Sequence, residues 1–395
     1  MSLKTFGPVD ERALGQLEKC TRMGGHAVLC ADHHPGYSQP IGGAVAYKSH
    51  ISVSGVGYDI ACGNKAVLTD AKVGDFDVAK VMDDIVRLIG FGVGRPNPVP
   101  VEHEVFDHIA RAEFEPQRKL LDLARQQLGT VGSGNHYVDI FADEQDRIWV
   151  GVHFGSRGFG HRTASGFLAL AKGKAFDEKA PEGEMDSPPV LLGLETEIGQ
   201  DYIAAMNLAG EYAYAGRDAV CAKVVEILGA KVEASIHNHH NFAWKETHFG
   251  EEFWVVRKGC TPAFPGQQGF VGATMGSISV ILEGVESEAS REGLYSTVHG
   301  AGRIMSRTQA AGKQKWVKGR PTRVSKGLID WDQAQADLAE KGIELRGGGA
   351  DEAPGVYKQL DEVLGYHEGT INVLHRLRPL GVAMAGADVW DPYKD

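Results

Sequence analysis

The sequence contains no run of about 18 or more apolar residues, so it offers no membrane-spanning helix. Its first residues, MSLKTFGPVDERALG, lack the charged, apolar and small-residue order of a secretory signal, and a cytoplasmic protein is expected. Cysteine is scarce and scattered. Cys20, Cys30, Cys62, Cys221 and Cys260 are odd in number and include no CxxC pair, which argues against a disulfide framework and leaves single cysteines to be explained by chemistry. An excess of positive charge is also missing. With 41 basic and 52 acidic residues the net charge is -11, which disfavours a protein that coats nucleic acid non-specifically, because neutralising phosphates takes clustered Lys and Arg. No Walker A sequence and no nucleotidyl-transferase lysine motif is present, so any nucleotide activation must run through another residue. No fixed-period repeat occurs.

What remains is ordinary globular material, 43% hydrophobic and 24% charged over 395 residues. Apolar residues at three- and four-residue spacing predict helices over 76–90 and 101–128, separated by the breaker GRPNPVP, and a long helix or helix pair over 195–228. WDQAQADLAEKG (331–342) predicts a late helix ending at Gly342, where a left-handed cap is allowed. RIWVGVHF (147–154), EFWVVR (252–257) and SISVILEG (277–284) predict strands. Residues 173–191, rich in Pro and acid, predict an exposed loop or insertion and the most mobile segment. Strands and helices do not alternate regularly, so the expected class is α+β in a single domain, a central mixed β core flanked by helices. From Arg303 to Lys326 run eight basic residues and no acidic one, either a solvated basic loop or a receiver for an anionic ligand.

Five glycine-flanked segments carry the chemistry. In GVGYDIACG a thiolate (Cys62) and a carboxylate (Asp59) three residues apart could converge on divalent ions; alone, such a pair is ordinarily a buried cysteine beside a turn-capping Asp. GSGNHYVD places His136 at the entry to a strand, beside the amide of Asn135. VHFGSRGFGH ends a strand at His153 and puts Arg157 in a glycine loop, suited to bidentate contact with phosphate or to a solvated hairpin. HNHHN packs His237, His239 and His240 into four residues, a density hard to justify in a core because each ring has two nitrogens to satisfy. STVHGAGR sets His299 among small residues whose backbone amides could approach phosphate, and histidine is a legitimate nucleophile toward phosphorus. One thiolate, one carboxylate and several imidazoles together favour a binuclear metal site.

The runs GGHAVLCADHHPGYSQPIGGAVA, SGVGYDIACG, LGTVGSGNHYVDI, VHFGSRGFGH, HHNFAWKETHFGEEFWVVRKG, HGAGRIMSR and DEAPGVYKQLDEV resemble the successive motifs of the RtcB family of RNA-splicing ligases, in order, from about residue 24 to 386. The resemblance implies a ligase domain over 1–386 with a short extension, 387–395. It implies a GTP- and manganese-dependent enzyme joining RNA 3'-phosphate or 2',3'-cyclic phosphate ends, of tRNA halves or broken RNA, to 5'-hydroxyl ends. Cys62 would bridge two manganese ions, with Asp59 and His136 completing one set and His153 and His240 the other. His299 resembles the histidine that becomes guanylylated, and Asp32 the carboxylate that orients it. Asn135, Asp139, Asn241, Gly272, Ala273, Thr274, Met275, Ser279, Gly300, Ala301, Gly302 and Tyr357 fall among the nucleotide-binding positions, and Arg157 and Arg307 where phosphates are held. An archease-type activator is a further implied partner.

Two positions depart from the family. Asp139 stands where a longer acidic arm reaches guanine, and Val382-Ala383-Met384-Ala385-Gly386 lacks the tail lysine that contacts nucleotide. Both lie on the nucleotide side, while the metal set and His299 are intact. Two other readings stay open: a divergent relative using a binuclear metal as a phosphoesterase or capping ends with nucleotide, and a non-enzymatic RNA-end binder with the metal as a staple.

Overall fold

The computed structural model describes residues 2–178, 184–317, 320–387 and 389. At its centre four antiparallel strands lie side by side in the order Tyr137–Ala142, Arg147–Phe154, Gly63–Lys72 and Val232–His239. Ile371–Gly386, Ser279–Gly284 and Gln268–Val271 extend the sheet beyond Tyr137–Ala142, and Glu344–Gly348 joins Ile371–Gly386 in parallel. A second sheet runs Ser2–Thr5, His26–His34, Ile41–Tyr47, Glu251–Lys258, Asn241–His248, with only its first pair parallel. Both sheets are mixed, helices cover their faces, and the class is α+β as expected.

Both faces of the central strands are covered, which is why RIWVGVHF reads as an unbroken apolar run. Ile148, Val150, Val152 and Phe154 pack with Val220 and Val224 of the helix Glu197–Leu228 and with Met82 and Ile85 of the helix Val78–Leu88. Trp149, on the opposite face, joins Phe141, Phe270 and Leu338. Glu197–Leu228 is one continuous helix of 32 residues, resolving the choice between one and two. The Thr196 side chain accepts from the Gly199 N–H at its start, and Gly229 at φ 66° closes it in the left-handed conformation. The predicted helix over 331–342 is Trp331–Glu340, with Gly342 at φ 72°.

One expected helix is not there. Residues 101–128 form three short helices, Val105–Ala110, Glu115–Arg118 and Leu121–Gln127. Pro116 lacks the N–H that a continuous helix would need and instead opens the second piece. Nor does the Pro- and acid-rich loop stand clear of the body along its whole length. Residues 179–183 lie outside the described residues, but just beyond them the Met185 carbonyl accepts from the Ser38 N–H, and Asp186 accepts from Gln16 and Arg12. Among the described residues no helix is long and apolar enough to cross a membrane.

The pairing registers position the site. Gly63 lies opposite both Phe154 and His239, and Tyr137 lies opposite His153. Cys62, His136, His153 and His240, far apart in sequence, therefore meet at one end of the central sheet.

Candidate metal and nucleotide site

Cys62 Sγ is the hub. It lies 3.5 Å from His153 Nε2 and 3.6 Å from His136 Nε2, and His136 Nε2 is 3.1 Å from Asp59 Oδ2. Two donor triads share the sulfur: Asp59, Cys62 and His136, and Cys62, His153 and His240. Burial, then repulsion from neighbouring histidines, holds His153 and His240 well below the ordinary imidazole range, so both rings are neutral and carry a lone pair. Burial works against ionised Asp59, but the hydrogen bond and charge of His136 bring its carboxyl down to about 2. Burial and the Asp59 charge push the Cys62 thiol up, and a divalent cation would reverse that. His240 Nδ1 is buried without a hydrogen-bond partner among the described residues. Thiolate, neutral imidazole and carboxylate suit a borderline divalent ion, so the residues fit a pair of metal ions sharing Cys62.

The glycines flanking the motifs make room for these groups. A Cβ on Gly155 would come within 2.2 Å of Asp59 Oδ1, and one on Gly132 within 2.1 Å of His136 Nδ1. Behind the ligands lies Arg217, fully buried. It donates to the carbonyls of Ala61 and Phe154, next to Cys62 and His153, and bonds to the rings of His237 and His239. Those two histidines of the dense cluster thus serve Arg217, and only His240 joins a donor triad.

The Cys62 end of the sheet opens into a cleft of about 1270 Å³. His299 lines it, with its ring centroid 4.8 Å from that of His240. Its Nδ1 donates to Asp32 Oδ2 at 2.7 Å, and the backbone N–H groups of His299 and Gly300 converge on the same oxygen at 3.0 and 3.3 Å. Burial opposes the Asp32 charge, but the bonds and charge of His299 hold its carboxyl below the usual range. An ionised Asp32 can only accept, so Nδ1 of His299 carries a proton, and in the neutral ring the lone pair is on Nε2.

Asn135, Asp139, Asn241, Gly272, Ala273, Thr274, Met275, Gly300, Ala301, Gly302, Tyr357 and Arg307 also line the cleft. Ser279 does not; its Oγ accepts from the Ala273 N–H at 2.9 Å and so braces the 272–275 turn. Arg157 does not line it either. It opens the helix Arg157–Leu170 at φ 54°, where a glycine loop was expected, and its guanidinium donates to the Gly92 carbonyl and Thr130 Oγ1. Arg303 and Arg307, the first basic residues of the 303–326 run, turn back onto Glu352, and Arg307 also onto Asp351. The positive field expected of that run is thus met at its start by acids distant in sequence. Lys318 lies outside the described residues.

Sequence reasoning missed Lys258. It lines the cleft, burial lowers its ammonium to about 8, and it donates to the carbonyls of Tyr37 and Ser54. Its one signal was a lysine closing an apolar strand, WVVRKG. At the Asp139 end of the cleft, burial pushes the Asp139 carboxyl well above its ordinary range, and its Oδ1 has no hydrogen-bond partner among the described residues. Val382, opposite Asp139, and Met384 complete an apolar wall there.

A mixed α+β scaffold that gathers two thiolate-sharing donor triads beside a carboxylate-oriented histidine has the make-up of a metal-dependent phosphoryl- or nucleotidyl-transfer enzyme. The family model of the tRNA-splicing ligase RtcB matches residues 15–116 and 110–385, and the chain belongs to the RtcB family. It is 30% identical to the RNA-splicing ligase RtcB1 of Escherichia coli, over 94% of this chain and 93% of that protein. To the tRNA-splicing ligase RtcB of Thermococcus kodakarensis it is 29% identical, over 94% and 91%.

Proposed function

We propose that this chain is a GTP- and manganese-dependent RNA ligase that joins 3'-phosphate or 2',3'-cyclic phosphate ends to 5'-hydroxyl ends through a guanylate carried on His299. The observation that carries the reading is the Asp32–His299 bond, which turns Nε2 of the neutral ring, with its lone pair, toward attack in a cleft-lining histidine beside the donor triads.

A 3'-phosphate is a poor electrophile until one of its oxygens is converted into part of a leaving group. His299 Nε2 attacks the α-phosphorus of GTP; the bond to the β-phosphate oxygen breaks and pyrophosphate leaves. An oxygen of the RNA 3'-phosphate then attacks the guanylate phosphorus, and the histidine departs with its electron pair. Finally the 5'-hydroxyl attacks the activated 3'-phosphorus, loses its proton, forms the phosphodiester and expels GMP. A cyclic end first takes up one water to open to the 3'-phosphate. Through all steps Asp32 keeps the His299 proton on Nδ1 and offsets the charge the ring gains on attack. Asp59, Cys62, His136, His153 and His240 would hold two manganese ions, which when bound neutralise phosphate charge and polarise phosphoryl oxygens. Asn135, Asn241, the 272–275 turn and the 300–302 amides would hold the nucleotide. Incubation with manganese and α-labelled GTP should give a covalent, acid-labile adduct that is absent in His299→Ala. An adduct that persists in that variant would refute the assignment.

A further inference from the structure

The strand that follows Cys62 carries a buried polar side chain that belongs neither to the donor triads nor to the cleft lining. Asn64 is 2% exposed and sits directly opposite His153 in the pairing of Gly63–Lys72 with Arg147–Phe154. Its amide makes three contacts. Nδ2 donates to the Phe270 carbonyl at 2.9 Å and to the His299 carbonyl at 3.4 Å, and Oδ1 lies 2.6 Å from His153 Nδ1.

These contacts admit one assignment of protons. Carbonyl oxygens only accept, so the amide nitrogen must face Phe270 and His299. The amide oxygen then faces His153, and because it too only accepts, His153 Nδ1 must carry the proton. In the neutral ring that leaves the lone pair on Nε2, which lies 3.5 Å from Cys62 Sγ. Were the amide turned over, two carbonyls would face an oxygen. The same side chain reaches the backbone of His299 and the strand Gln268–Val271, which runs directly into the 272–275 turn.

We propose that Asn64 is a positioning residue that couples the two halves of the site, selecting with one end of its amide the tautomer in which His153 presents Nε2 to a metal ion, and anchoring with the other the backbone of His299. The proposal rests on the reading of His153 as a metal ligand and His299 as nucleotide carrier. It predicts that the two ends of the amide can be separated. Asp at position 64 keeps an oxygen for His153 Nδ1 and loses both donors, whereas Leu loses everything.

Three measurements on the full chain test this. Ring 15N shifts of His153 in metal-free protein report the tautomer, cobalt(II) titration followed by thiolate-to-cobalt absorption reports binding at the two triads, and α-labelled GTP reports the rate of adduct formation. Asn64→Leu is expected to lose the Nδ1–H tautomer and to weaken one of the two cobalt sites by about 10- to 100-fold, the usual effect of removing a partner behind a ligand. Asn64→Asp should restore the tautomer and cobalt affinity to within about threefold while its labelling stays about tenfold slow or more, a split that simple loss of packing does not produce. Folded Asn64→Leu protein with the wild-type tautomer and both wild-type cobalt affinities would overturn the tie to His153. Wild-type labelling in Asn64→Asp would overturn the tie to His299, and this near-isosteric variant keeps the test alive if the leucine protein does not fold. If wild type itself takes up neither cobalt nor label, the ligase reading fails, and the tautomer comparison in metal-free protein still decides the role of Asn64 toward His153.

Discussion

At the end of the cleft that carries the two donor triads the side chains are held from behind. His153 bonds to Asn64, the residues next to Cys62 and His153 are tied by Arg217, and a Cβ on Gly155 or Gly132 would meet Asp59 at 2.2 Å or His136 at 2.1 Å. The end proposed to take the base is different: Asp139 projects a short carboxyl with one oxygen unpartnered among the described residues, against an apolar wall of Val382 and Met384. Metal chemistry needs fixed directions, because a donor that swings away is lost to the ion. Base selection needs complementary hydrogen bonds, and this chain brings few to that wall. The contrast predicts an enzyme strict about its metals and permissive about its nucleobase.

The largest effect is expected where both triads share an atom. Cys62→Ala should remove both ions and lower ligation on the order of 10³-fold or more, whereas His240→Ala should weaken chiefly one ion. Elemental analysis of the dialysed proteins checks this, and two tightly held ions in Cys62→Ala would break the contrast at its strong end. Next comes Asp32→Asn. The backbone N–H groups of His299 and Gly300 hold the amide oxygen toward the ring, so the Nδ1 proton stays while the negative charge that offsets the ring on attack is lost, and adduct formation should fall by about 10²-fold with metal content unchanged. Single-turnover labelling with GTP measures it.

How much of this was legible in the sequence follows from where the information resides. The strand 147–154 and the helices Val78–Leu88 and Trp331–Glu340 could be read because apolar spacing and caps are local. The motif residues could be singled out because thiol, imidazole and glycine seldom crowd together without a chemical reason. Asn64 and Arg217 could not: nothing local sets either apart from the other polar residues of its strand or helix, and its place exists only once strand pairing sets Asn64 opposite His153 and a long helix brings Arg217 behind Ala61. The pairing of Arg307 with Asp351 and Glu352 was hidden for the same reason, since the basic run and its acids are separated by the helix Trp331–Glu340.

The base end gives a smaller effect. Wild type should label with ATP within about tenfold of GTP at equal concentration, and Asp139→Glu, whose longer arm can reach a guanine edge, should raise the GTP preference by about tenfold. A strong GTP preference in wild type would show that other residues read the base. The smallest effect concerns the platform behind His299. His367 is fully buried, its Nε2 accepts from the Ala31 N–H next to Asp32, and burial lowers it from 6.5 to about 4. Between those values the unfolded chain binds a proton that the folded chain refuses. This contribution is fully present above the unfolded value and is lost as pH falls through the window, at about 1.4 kcal/mol per pH unit. Urea unfolding between pH 7 and pH 5 should show a shallower loss in His367→Gln than in wild type; equal slopes would place the proton elsewhere.

The nucleotide-carrier role of His299 is tested most directly with an RNA that already bears a 3'-terminal diphospho-guanosine, offered with a 5'-hydroxyl RNA to His299→Ala protein in manganese. That substrate bypasses the step His299 performs and asks only for attack by the 5'-hydroxyl at a metal-loaded site. The variant should seal it at a rate within about tenfold of wild type while failing to join a plain 3'-phosphate end. Failure to seal the activated RNA, by a folded variant that still holds two metal ions, would contradict the assignment of His299 as nucleotide carrier.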